Sequence, residues 1–266
     1  MLPVFRRPFG PPNVVIYSYE LSKLFLDESI TSILDVGCGL GIFVCRYASS
    51  RKDAFVMGVD HSARVIEFLS SKYGKYYGNL QLKSCDFCEG GLYLGRVFDA
   101  VYSSDVMEHV KDTHAFVDNI YRHLRAGGKA VVNFPNETSH GINHFAETDD
   151  LRKLFAAFSA VTISIIEIKH PVEKLWFSAR TVYESLFSPS TKEARNHLYS
   201  EREEQGIDRF EDSTCFKFIN EKGTIRNSVA SLVSEAFLLI KPTIDVRQVE
   251  RANILNSSRL VVVATK

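Results

Sequence analysis

The sequence predicts an α/β fold in which a mostly parallel β-sheet carries helices on both faces. Apolar, β-branched runs alternate with amphipathic segments of helical period over residues 30–169, the pattern of a parallel sheet with right-handed crossovers. A glycine-rich turn, Asp35-Val36-Gly37-Cys38-Gly39-Leu40-Gly41, joins the first such run to a helix-competent segment. Acids close the strand candidates that follow, at Asp60, Asp86 and Asp105. Open α/β sheets bind ligands at those carboxyl ends.

Each element has a local reason. Pro11-Pro12-Asn13 stops the N-terminal segment ahead of a helix expected over 14 to about 28. Ser32-Ile33-Leu34 leads into the first strand, and 42–50 follows the glycine turn as a helix. Phe55-Val56-Met57-Gly58-Val59 is the second strand; Ser62 then caps a helix with Val65, Ile66 and Leu69 in phase. Residues 80–85 and 97–104 are the third and fourth strands. Asp112 or Thr113 caps the next helix, which sets Phe116, Val117, Ile120 and Leu124 on one face. Gly127-Gly128 is expected to be its C-cap, leading into a fifth strand. Thr148 precedes a helix with Leu151, Leu154, Phe155 and Phe158 at helical spacing, and 161–168 and 259–264 complete seven strand candidates.

Residues 170–255 exceed what a hairpin between the last two strands needs, and they predict a mainly helical insertion. Pro171 opens a helix bearing Leu175, Trp176 and Tyr183; Ser190 to Glu193 forms a capping box for a polar helix ending at Gly206; 228–240 is a third, stopped by Pro242. The Trp176 stripe is expected to pack on the rest of the protein rather than face a membrane. The chain thus partitions into an N-terminal segment and helix (1–30), a ligand-binding core (31–169), the insertion (170–255), read as a lid over the acceptor, and the last strand of the sheet (256–266).

Composition narrows the function. Among 266 residues, Lys plus Arg and Asp plus Glu both total 32, so there is no basic field of the kind that binds nucleic acid. The five cysteines are odd in number and include a single C-x-x-C, Cys85 and Cys88, which supports free thiols rather than a zinc ribbon. Residues 1–13 lack the apolar run of a signal peptide, and no run is long enough to span a bilayer. A cytoplasmic protein is expected.

The glycine turn has the makings of a nucleotide-cofactor cradle, since glycine lets backbone approach a ligand and a helix N-terminus offers unpaired N–H groups. A dinucleotide fingerprint would need glycine at 42, where isoleucine stands, which weighs against an NAD-dependent oxidoreductase. Asp60 lies at the offset where such folds place a ribose-binding acid.

The Asp-x-Gly-x-Gly-x-Gly pattern resembles motif I of the class I S-adenosylmethionine-dependent methyltransferases. Phe98-Asp99-Ala100-Val101-Tyr102-Ser103-Ser104 running into Asp105-Val106-Met107-Glu108-His109-Val110 resembles motif IV of the small-molecule branch, and Leu124 to Asn133 resembles the turn into strand five. The resemblance implies a seven-stranded sheet in the order 3-2-1-4-5-7-6, last strand antiparallel, and S-adenosyl-L-methionine as cofactor. It implies cofactor contacts from Asp35, Gly37, Gly39, Gly41, Asp60, Asp86, Phe87, Ser103 and Ser104, with Asp86 at the adenine amino group and Phe87 against the base.

Methyl transfer from a sulfonium is a direct displacement, and an oxygen acceptor must also lose a proton. His109, with Glu108 beside it, is the candidate general base; the alternative is that the pair only orders the following helix. Asp105, Glu108 and His109 also resemble the metal-binding segment of the ubiquinone-pathway O-methyltransferases and of the small-RNA 3′-end methyltransferases, with His144, or His140 in its place, as the further ligand. Asp105 stands where those groups carry glutamate, and this shorter arm argues against a divalent metal. The expected function is methyl transfer to a small-molecule acceptor, a hydroxyl of a lipid-like, aromatic or glycan-linked compound. RNA 2′-O-methylation, disfavoured by the charge balance, and a non-catalytic cofactor-binding regulatory subunit are the alternatives.

Overall fold

The computed structural model describes residues 14–39, 41–138, 141–169 and 243–266. Contacts divide the chain into two units. Val14–Ile168 and Ile244–Lys266 belong to the first; of the second, only Lys169 and Thr243 are among the described residues. The helices expected at 171–187, 190–206 and 228–240 lie outside the described residues.

The described elements run α1 (Val14–Ser22), β1 (Ser32–Val36), α2 (Ile42–Ser50), β2 (Phe55–Asp60), α3 (Ala63–Tyr73), β3 (Leu80–Ser84), β4 (Phe98–Ser104), α4 (Thr113–His123), β5 (Leu124–Phe134), α5 (Thr148–Leu154), β6 (Ala160–Lys169), β7 (Thr243–Val249) and β8 (Leu260–Thr265). The sheet order is β3-β2-β1-β4-β5-β8-β6-β7. The first five strands are parallel, and β8 runs antiparallel to both β5 and β6. This is the expected 3-2-1-4-5-7-6 order with one strand added at the edge. The added strand, β7, falls in the stretch assigned to the insertion. Its alternation Thr243, Asp245, Arg247 with Ile244, Val246 has the period of two that an edge strand shows, hidden from the sequence reading by the helix-like run before it.

Helices cover both faces. Phe116, Val117 and Ile120 of α4 join Leu34, Val36, Met57, Val59, Val101 and Val132 in one core cluster. On the opposite face the buried Tyr102 of β4 stacks on Phe43 of α2 at 4.2 Å and donates to the Ser18 carbonyl of α1 at 3.0 Å. Ser62 and Asp112 cap α3 and α4 as expected, each side chain accepting a backbone N–H. Helix α1 stops at Ser22, short of the expected 28: Ser22 Oγ donates to the Tyr19 carbonyl, and the chain turns through 24–26. Gly127-Gly128 is not a helix C-cap. Helix α4 ends at His123 and the pair lies inside β5, where Gly127 N–H donates to the Lys266 carbonyl. A Cβ at Gly128 would come within 2.8 Å of the Arg125 carbonyl, so close backbone approach explains that glycine. No helix among the described residues is long and apolar enough to cross a membrane.

Candidate active site

Strand β1 delivers the chain into the glycine turn at the carboxyl edge of the sheet. Gly37 and Gly39 have φ of +74° and +48°, where L side chains are strained. A Cβ on Gly37 would lie 2.2 Å from Val106 Cγ2. Above Gly39 the situation is reversed: among the described residues, only the Gly37 carbonyl, at 4.0 Å, comes near a Cβ built there. The turn is therefore packed on one side and open on the other, a cradle that a side chain would fill. Gly41, the N-cap residue of α2, packs close under Leu69 of α3.

Asp60, at the end of β2, holds the turn's tip. Its Oδ2 accepts from Gly39 N–H at 2.9 Å, and its Oδ1 accepts from Ser62 N–H at 3.0 Å and lies 3.4 Å from His61 Nδ1. Asp35 is buried on the neighbouring strand, and burial, then the Asp60 charge, push its carboxyl well above the usual range. A donor or cation placed over these acids offsets that cost. Asp86 is exposed beyond β3, its Oδ1 accepting from Cys88 N–H at 2.9 Å.

Three expected contacts stand elsewhere. Phe87 is turned into the core, edge-on to Phe116 at 5.8 Å and 5.6 Å from the His123 ring, so its ring belongs to the interior rather than to a bound base. Ser103 is fully buried and donates to the Val36 carbonyl at 3.0 Å, tying β4 to β1. Ser104 donates to Asp105 Oδ2 at 2.8 Å. Both hydroxyls serve the strand end itself.

The turn after β4 carries the chemistry-bearing side chains. Asp105 adopts φ +58°, a left-handed conformation that few residues other than glycine, asparagine and aspartate take up readily. Its Oδ1 pairs with Arg259 Nη2 at 2.6 Å, while Arg259 Nη1 donates to Asn133 Oδ1 at 2.8 Å. Glu108 is 1 % exposed and its Oε2 has no partner among the described residues. Burial, with the Asp105 charge adding to it, pushes its carboxyl up to about 8. Its backbone is gripped from outside: the Glu108 carbonyl accepts from Ile142 and Asn143 N–H, and a Cβ on Gly141 would strike that carbonyl at 2.4 Å. His109 is exposed, its Nε2 3.7 Å from Glu108 Oε1. His144 Nδ1 is buried without a partner among the described residues. Among the described residues, these side chains are not brought together as the ligands of an ion. The Asp105 carboxylate is taken by a guanidinium, and among the described residues no group of three or more His, Cys, Asp or Glu is arranged to hold an ion. His140 lies outside the described residues.

Residues 34–132 match the methyltransferase domain family. The chain carries a class I S-adenosylmethionine-dependent methyltransferase domain. It is 29% identical over 132 residues to phosphoethanolamine N-methyltransferase 1 of Triticum aestivum, a stretch covering 48% of this chain and 26% of that protein. It is also 29% identical over 125 residues to a carboxy-S-adenosyl-L-methionine synthase of Campylobacter jejuni, covering 47% and 52%. The chain therefore spans about a quarter to a half of the curated relatives it matches. Among solved structures, phosphoethanolamine N-methyltransferase 2 of Haemonchus contortus, bound to phosphomonomethylethanolamine and S-adenosylhomocysteine, aligns with TM-score 0.50 at 18% identity over 92% of this chain and 51% of that one. The YcgJ protein of Bacillus subtilis aligns with TM-score 0.52 at 13% identity over 94% and 98%. Both likenesses concern the fold.

In the methyltransferase domain the glycine turn and Asp60 form one cradle, with Asp35 beneath it, and the 105–109 turn stands beside it through the Val106–Gly37 contact. The sequence reading missed Asn133 and Arg259, which fix that turn. Each left a trace: Asn133 stands in the apolar run that closes β5, between Val132 and Phe134, and Arg259 abuts the apolar strand β8. Neither trace says that the two meet 126 positions apart.

Proposed function

We propose that the chain transfers the methyl group of S-adenosylmethionine to a small-molecule acceptor in the cytoplasm. The observation that carries this reading is the open cradle above Gly39, anchored through its N–H to Asp60. The donor supplies an electrophilic methyl on a sulfonium centre. The chain's part is to hold the donor's ribose at Asp60, to accept from the adenine amino group at Asp86, and to align the acceptor at the 105–109 turn. His109, on the exposed side of that turn, takes the acceptor's proton. Glu108, a neutral carboxyl below about pH 8, stands by as a hydrogen-bonding group. A hydroxyl acceptor is the reading that the sequence favours; an amine such as phosphoethanolamine is the second, favoured by the relatives' activity.

Calorimetric titration with S-adenosylmethionine and, separately, with NADH tests the donor. Binding of NADH and not of S-adenosylmethionine overturns the reading. Methyl-labelled donor supplied with phosphoethanolamine in one arm and a metabolite extract in the other then identifies the acceptor. Donor binding without labelled product in either arm would favour a cofactor-binding regulatory subunit.

A further inference from the structure

We propose that Arg259 is a positioning residue for the cofactor: its ion pair with Asp105 holds Val106 against Gly37 and so sets the glycine turn that receives the amino-acid half of the donor. The inference rests on the cofactor reading above. Strand β8 is antiparallel, so its start lies beside the carboxyl ends of β4 and β5, with Ser104 opposite Asn133 and Asn133 opposite Val261. Arg259, one residue before β8, is 9 % exposed and reaches across β5 to Asp105. One side of its guanidinium takes Asn133 Oδ1 at 2.8 Å and the other takes Asp105 Oδ1 at 2.6 Å, a fork that a single ammonium does not reproduce. Asp105 is further held by its own N–H on the Asn133 carbonyl at 3.0 Å and by the Ser104 hydroxyl at 2.8 Å.

This surplus of bonds keeps a non-glycine residue at φ +58°. The consequence falls on the next residue. With Asp105 so turned, Val106 Cγ2 lies where a Cβ of Gly37 would be, and Gly37 N–H in turn donates to the Val59 carbonyl at 2.9 Å. Strand order decides which part of the donor this contact governs. Asp86 follows β3 and Asp60 ends β2, so adenine and ribose occupy that side, and the amino-acid half extends over β1 and β4, where Gly37 and Val106 meet.

The test titrates the parent and its variants with S-adenosylhomocysteine and with 5′-methylthioadenosine, which lacks the amino-acid half. Losing a charged hydrogen-bonding partner in Arg259→Met should weaken S-adenosylhomocysteine about tenfold or more. Methylthioadenosine should stay within about twofold of its parent value. Val106→Ala should show the same selectivity to a smaller degree, and it carries the test should Arg259→Met fail to fold. Arg259→Lys should recover part of the affinity. A general loss of structure would weaken both ligands alike, so equal losses overturn the proposal, as would S-adenosylhomocysteine binding within about twofold of the parent in both Arg259→Met and Val106→Ala. A parent that binds neither ligand would overturn the cofactor reading itself, which separates the two failures.

Discussion

Asp99 and Glu108 sit at opposite ends of the same strand, and their carboxyls have opposite fates. Asp99, near the start of β4, accepts from Thr31 N–H at 2.8 Å, Thr31 Oγ1 at 2.9 Å, Ser32 N–H at 2.9 Å and Arg125 Nε at 2.5 Å. Burial on its own would raise this carboxyl, but the bonds from Arg125, Thr31 and Ser32 outweigh it and hold it well below the usual range. Glu108, beyond the end of β4, keeps one oxygen unpartnered among the described residues, and burial drives its carboxyl up to about 8. The two acids differ both in burial and in partners: Asp99 keeps some exposure and is given four donors, whereas Glu108 is buried with one oxygen unpartnered among the described residues. At the amino edge the chain satisfies its own acid and closes the sheet. At the carboxyl edge it leaves polar groups waiting, as a site that must accept a ligand does.

The largest expected effect tests the waiting acid. Glu108 has its folded-state carboxyl raised from 4.5 to about 8. Between those values the folded protein holds a proton that the unfolded chain releases, so stability falls as pH rises through that window. Glu108→Gln stays neutral throughout. It should raise the melting temperature at pH 9, by a stability increment on the order of 3 kcal/mol, and match the parent near pH 4. A glutamine variant with the parent's alkaline slope would show that Glu108 finds partners in solution, and the contrast with Asp99 would collapse. Next in size, Asp60→Ala removes charge-assisted bonds worth roughly 1.5–3 kcal/mol each. Calorimetry should register at least about tenfold weaker S-adenosylmethionine binding.

At the amino edge the same kind of change should have the opposite signature. Asp99→Asn weakens the bonds that join β4 to the Thr31–Ser32 segment and to Arg125. Denaturant melts should show a loss of about 1–2 kcal/mol, while affinity for S-adenosylmethionine stays at the parent value. Weakened binding in this variant would mean that the two edges are not independent.

The contrast also explains what the sequence could show. The parallel strands, the caps at Ser62 and Asp112, the glycine turn and Asp60 all rest on contacts within about 30 positions or on local periodicity, and each is legible from residue type and spacing. The turn after β4 is legible as a cluster of Asp105, Glu108 and His109, but not in its state. Whether Asp105 binds an ion or an arginine depends on Arg259, 154 positions away. Likewise Phe87 and Ser103 satisfy a motif while facing inward, because a strand-end position does not say which way the side chain turns. Strand β7 is hard to see in the sequence because Asp245, Arg247 and Gln248 break its apolar pattern and it follows a helix-like run.

The smallest expected effect concerns a titratable group that is buried and fully partnered, yet neutral. His123, 1 % exposed at the end of α4, has Nδ1 2.7 Å from the Asn119 carbonyl, while Nε2 accepts from Leu94 N–H at 3.2 Å. That pattern places the proton on Nδ1 and leaves Nε2 no room for a second. Burial lowers its pKa below the usual value, with the Asn119 bond opposing. The stabilisation is therefore present above the unfolded value of about 6.5 and lost as pH falls through the folded one, because the unfolded chain takes up a proton that the folded one refuses. His123→Gln should cost about 1 kcal/mol at pH 7.5 through the altered bonds. It should also flatten the decline in melting temperature between pH 6.5 and the folded value. Because burial outweighs the opposing Asn119 bond, the acid slope belongs to this imidazole, and it should disappear with it. A glutamine variant that keeps the parent's acid slope would assign the slope to other groups and leave the buried imidazole without a part in the acid response.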